Sequence, residues 1–143
     1  MSNADTIKQL LESANTIALV GASDKPHRAS YRVMAFLLEQ GYTVWPINPA
    51  KAGGEILGQP VLASLADINE PIDMVDIFRN ADAAGEVVDE AIAVGARAVW
   101  LQLGVINPTA AQKAQAAGLT VVMDHCPKIE IPLLGVTTPA QRV

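Results

Sequence analysis

Thr16-Ile17-Ala18-Leu19-Val20-Gly21-Ala22-Ser23-Asp24-Lys25-Pro26 begins with five apolar or β-branched residues, meets a glycine, and turns polar at once. A run that is apolar at almost every position, instead of at every second one, predicts a strand covered on both faces, here Thr16 to Val20. After a polar loop from Gly21 to Ala29, residues Val33, Met34, Phe36, Leu37 and Leu38 make a broad apolar helical face that stops at Gly41, a good C-terminal cap. Strand, loop and helix form one βα unit, with the loop at the strand's carboxyl end.

Outward from this unit the same grammar repeats. Upstream, Ile7, Leu10, Leu11 and Ala14 recur at helical spacing and predict a short helix from Ala4 to Ser13. Downstream, Thr43 to Ile47 read as a second strand, with Pro46 near its end, where a missing N–H does least harm. The Gly- and Pro-rich stretch from Pro46 to Pro60 reads as a loop. Asp73 to Phe78 predict the next strand. The helix behind it is marked by Ala84, Val87, Val88, Ala91 and Ile92, with Gly95 as cap. Ala98 to Leu103 follow as a strand, and Asn107-Pro108 is a cap and first-turn pair for a helix running to Gly118. Leu119 to Met123 close the series. Strands alternating with helices predict a Rossmann-like, doubly wound α/β fold: a mostly parallel sheet of about five strands with helices on both faces. A chain of 143 residues has room for one core, so residues 1–143 are expected to form a single domain.

Composition narrows the function classes. A formal charge of −5 gives no general attraction for nucleic acid or anionic membranes, so an anionic ligand must be held by local donors. No apolar run approaches the roughly 18–20 residues that span a bilayer. A single cysteine, Cys126, excludes an internal disulfide, and no signal-peptide pattern opens the chain, so a cytoplasmic protein is expected. Two histidines and one cysteine offer no metal-ligand spacing.

In a doubly wound sheet, ligands lie beyond the carboxyl ends of the strands, where strand order reverses. Gly21-Ala22-Ser23-Asp24-Lys25-Pro26 sits between the first strand and a helix, the setting in which backbone N–H groups and the helix dipole hold a phosphate, with Ser23 and Lys25 as further donors. Ser23 and Pro26 stand where a dinucleotide fingerprint would need its second and third glycines, which disfavours ordinary NAD. No acid ends the second strand to accept from ribose hydroxyls. Asn48 and Lys51 stand there instead, an amide and a cation suited to a ribose phosphate, as carried by CoA or NADP. Arg28, Arg32 and Arg79 add cations near the same strand ends, with Arg32 equally readable as a solvated helix residue or a partner of Glu39. Asp124-His125-Cys126-Pro127-Lys128 follows the last strand. One cysteine beside one histidine is no triad, and Cys126 is read as a non-catalytic thiol.

The chain resembles the small stand-alone CoA-binding proteins and, with them, the CoA-binding domain of the succinyl-CoA synthetase alpha subunit. The stretches that carry the resemblance are Ile17 to Ser23, Pro46 to Lys51, Val75 to Arg79, Leu101-Gln102-Leu103-Gly104 and Asp124 to Pro127. It implies that the loop from Ser23 to Pro26 meets the CoA phosphates, that Lys51 meets the nucleotide, that Leu101, Gln102 and Leu103 flank the cofactor, and that Cys126 lies near it. Two departures stand out: the synthetase subunit continues into a ligase domain, whereas this chain ends soon after Cys126, and Asp24 replaces a glycine of the phosphate loop. The expectation is a module that binds CoA or acyl-CoA without a complete catalytic set, as carrier, sensor or partner subunit, alone or as a homo-oligomer. A small NADP-dependent oxidoreductase or lyase, and a ligand-gated regulatory domain, remain open alternatives.

Overall fold

Strand β1 (Thr16–Val20) is buried at all five positions, the consequence of an apolar run that has helices on both sides. The computed structural model describes residues 3–142; residues 1, 2 and 143 of the expected domain lie outside them. The chain begins with α1 (Ala4–Ser13), capped by the Asn3 side chain, which accepts from the Thr6 N–H at 2.9 Å. After β1 come α2 (Ala29–Glu39) and β2 (Thr43–Ile47), then a small hairpin of β3 (Glu55–Ile56) and β4 (Gln59–Pro60). The series continues through β5 (Met74–Ile77), α3 (Ala81–Ala93), β6 (Ala98–Leu101), α4 (Pro108–Ala116), β7 (Thr120–Met123) and α5 (Pro127–Leu134).

The main sheet has the order β2-β1-β5-β6-β7, and every neighbouring pair is parallel. The expected doubly wound fold is present, and its order reverses between β1 and β5, the two strands whose following loops meet. Alternation along the strands separates two cores. Ile17, Leu19, Met74, Trp100 and Val122 pack beneath α1, α2 and α5, whereas Ala18, Val75, Ile77, Leu101 and Val121 pack beneath α3 and α4. Among the described residues no helix is long and apolar enough to cross a membrane.

The structure corrects the sequence reading in three places. Strand β6 stops at Leu101, two residues earlier than expected, because the chain leaves the sheet in a turn in which Val105 N–H donates to the Gln102 carbonyl. The stretch from Pro46 to Pro60 holds the β3-β4 hairpin, whose turn uses positive φ at both Leu57 and Gly58. A leucine in that conformation lacks the Asn-Gly or Asp-Gly signature that would have announced the turn. The loop expected after the last strand leads directly into α5, with Pro127 at its start and Gly135, at φ 65°, closing it. Pro132 inside the helix obscured the periodic signal.

Candidate functional site

The carboxyl ends of β1, β2 and β5 are tied together by backbone groups before any side chain takes part. Gly21 N–H and Ala22 N–H both point to the Ile47 carbonyl, at 3.1 and 3.3 Å, and Phe78 N–H donates to the Val20 carbonyl at 2.8 Å. Gly21 itself has φ +89°, and a Cβ there would lie 2.3 Å from the Phe78 carbonyl oxygen. Only glycine lets these two loops approach so closely.

A cleft of about 400 Å³ opens over this junction. Its lining takes Gly21 to Lys25 from the loop after β1, Asn48 and Lys51 from the segment after β2, and Phe78 from the end of β5. The far end is formed by Arg28, Ala29 and Ser30, the entrance to α2. Arg28 occupies the cap position without a side-chain cap bond, and no acid stands in the first turn. The first N–H groups of α2 are thus free to face an anion, reinforced by the positive end of the helix dipole.

Individual side chains have distinct duties. Asn48 donates to the Ala22 carbonyl at 2.8 Å and accepts from Ala50 N–H at 2.9 Å, so its amide braces the two loops. Ser23 Oγ accepts from Lys25 N–H at 3.1 Å, which shapes the turn and leaves its hydroxyl proton available. Lys51 Nζ lies 3.4 Å from Asp24 Oδ2 across the cleft, with both side chains partly exposed. The Asp24 carboxylate is thereby paired with Lys51 across the chain. Arg32 forms no ion pair with Glu39 among the described residues; its Nη1 donates to the His27 carbonyl at 2.8 Å.

Seven of the residues read from the sequence as cofactor-binding line the cleft, Gly21, Ala22, Ser23, Asp24, Lys25, Asn48 and Lys51, and so does Arg28, read there as a nearby cation. Six others lie outside its lining. Pro26 borders a neighbouring hollow with Tyr31 and Phe36. Arg79 is exposed just beyond Phe78, and Leu103 is exposed past the end of β6. Leu101 is fully buried in the core under α3 and α4, and Gln102 is buried with its side-chain oxygen unpartnered. Cys126 is buried at the cap of α5. His125, its neighbour, directs Nδ1 to Glu130 at 3.0 Å. The sequence reading named Arg28 only as a nearby cation and did not include Ala29, Ser30 and Phe78. The signal was present: the loop's last residues must become the helix's first turn, the turn that faces a phosphate.

A family model described as a CoA binding domain matches residues 15–132. The chain is 37% identical over 123 residues to YneT, an uncharacterised protein of Bacillus subtilis, covering 86% of this chain and 90% of that protein. A solved structure of a hypothetical protein from Pyrococcus horikoshii has a TM-score of 0.88 and 40% identity, over 93% of this chain and 92% of that one. The alpha subunit of an ADP-forming acetate–CoA ligase I from Pyrococcus furiosus is 30% identical over 95 residues, which span 64% of this chain but 21% of that subunit. The ligase relative here is an acetate–CoA ligase, and the likeness to succinyl-CoA synthetase is more distant. With the family model matching most of its length, this chain belongs to the family of CoA binding domains.

Proposed function

We propose that this chain, folding as one domain, binds CoA or an acyl-CoA in the cleft at the sheet's switch point and acts as a carrier, sensor or partner module without chemistry of its own. The observation that carries the reading is the junction of an uncapped helix N-terminus with Lys25, Arg28 and Lys51 around one cleft, in a protein whose formal charge is −5. Positive donors are concentrated there against the sign of the whole molecule. In this reading the pyrophosphate lies on the first turn of α2 and the loop from Ser23 to Lys25, and Lys51 answers the ribose phosphate from the β2 side.

Calorimetry with CoA, dephospho-CoA and NADP tests it. CoA binds most tightly, and its advantage over dephospho-CoA is about fivefold, the size expected for a partly exposed charge pair of about 1 kcal/mol. Lys51→Ala brings the two affinities close together. Equal affinities of the unmodified protein for CoA and dephospho-CoA would remove Lys51 from its role, and tighter binding of NADP would replace the ligand.

A further inference from the structure

Helix α2 carries its charges against its own dipole. Arg32 stands near the positive start of the helix and Glu39 at its negative end, with no acid in the first turn and no base in the last. Both residues are exposed, and neither forms an ion pair with a described residue. The helical rise from Arg32 to Glu39 sets them about 10 Å apart, beyond the reach of an intrahelical pair. Arg32 spends one nitrogen on the His27 carbonyl and leaves the rest of its guanidinium available. Between the two charges lie Ala35 and the half-buried Phe36, and all four residues line one hollow of about 250 Å³ together with Lys128 of α5. No residue of that hollow lines the cleft at the sheet's switch point. The apolar surface continues onto α5: Ile129 shares a neighbouring hollow with Phe36, and Leu133 follows it one turn later, at 51% and 70% exposure.

Ala35 and Phe36 lie midway between the two charges. A twofold axis through that point lays α2 antiparallel on the α2 of a second copy and brings Arg32 of each onto Glu39 of the other. Each charge then lies beside the favourable end of its neighbour's dipole, the reverse of its position on its own helix. Ala35, with no side chain beyond Cβ, lets the two helices approach, and Phe36, Ile129 and Leu133 lose apolar exposure to water. A wholly acidic or wholly basic partner answers only one of the two charges, whereas a second copy answers both. We propose that the α2–α5 face is the interface of an isologous homodimer in which Arg32 and Glu39 pair reciprocally across the twofold axis. The inference is independent of the CoA reading, because the hollow and the cleft have no residue in common.

Sedimentation velocity over a concentration series, with native mass spectrometry, tests it on the full chain without ligand. The natural chain shows a monomer–dimer equilibrium. Arg32→Glu and Glu39→Arg each weaken the dimer at least about tenfold, because each sets two like-charge contacts in the interface. Neither change threatens the fold: both positions are exposed, and each substitution suits the helix dipole better than the natural residue does. An equimolar mixture of the two variants forms a heterodimer, recognised by its mass, since both contacts are again of opposite sign. The double variant Arg32→Glu, Glu39→Arg recovers the homodimer for the same reason. A natural chain that stays monomeric throughout the series overturns the proposal and leaves the face to a different partner. A dimer that neither single variant weakens, or that mixing the variants does not restore, lies on another face and overturns it as well.

Discussion

At the scale of single residues, Gly21 and Asp24 make opposite demands on the loop proposed to hold the phosphates. From the strand-loop-helix pattern alone, Gly21→Val reads as a loss of nucleotide binding with the fold largely intact, unless Gly21 takes a positive φ, in which case folding suffers too. The positive φ and the 2.3 Å approach to the Phe78 carbonyl oxygen select the second outcome, because a Cβ collides with backbone just beyond β5. Even Gly21→Ala is expected to lower stability by more than about 2 kcal/mol, combining left-handed strain with a backbone shift. Thermal melts read it, and a wild-type melting curve would mean that the Phe78 loop yields. In the proposed site Asp24 would cost affinity twice, by repelling a phosphate and by occupying Lys51 at 3.4 Å. Asp24→Asn therefore strengthens CoA binding about threefold to tenfold at low salt, an effect that added salt erodes. Unchanged affinity in calorimetry would show that the carboxylate swings clear when the ligand arrives.

At the scale of elements, β5 and the residue before it carry two aspartates with opposite pH signatures. Asp76 is fully buried in β5, and neither carboxylate oxygen has a hydrogen-bond partner among the described residues. Burial pushes its carboxyl well above the usual range. The folded state therefore keeps a proton that the unfolded chain releases above about pH 4, and stability is lost as pH rises from there. Asp76→Asn should melt higher than the natural chain at pH 7 to 8, with the gap closing toward pH 4; a gap independent of pH would refute the assignment. Asp73 behaves in reverse. Burial opposes its ionisation, but the N–H groups of Thr16 and Asn15 and the Arg97 guanidinium outweigh that and hold its carboxyl below the usual range. Its contribution is complete above the unfolded value near pH 4 and is lost as pH falls through the lower folded one. Asp73→Asn is expected to cost about 1–2 kcal/mol at pH 7, a deficit that denaturant melts should see shrink below pH 4. Both aspartates lie in or beside an apolar run, and nothing in that run distinguishes the anchored carboxylate from the orphaned one.

At the scale of the whole molecule, ligand and fold share one free energy, since the cleft is built from loops that hold β1, β2 and β5 together. Free CoA at a hundred times its dissociation constant should add about 2.7 kcal/mol, which raises the melting temperature of a chain this long by roughly 9 °C. NADP at the same concentration should raise it less, and scanning fluorimetry separates the two. The sequence by itself determined the order and kind of the main elements, because apolar runs, helical periodicity and caps such as Asn107-Pro108 are local signals. It also determined where to look: Gly21 to Lys25, Asn48 and Lys51 line one cleft because strand ends in a parallel sheet share an edge. Only the tertiary structure decided what each of those residues is free to do. Asn48 is spent as a brace, Lys51 meets Asp24, and Leu101 faces the core, outcomes set by partners up to dozens of residues away. The turn at Leu57-Gly58 and the helix from Pro127 also emerged only there, since tertiary packing overrides weak or contrary local preference. Which side chain a loop presents to a ligand depends on the loop it touches, and that contact is written in no single stretch of sequence.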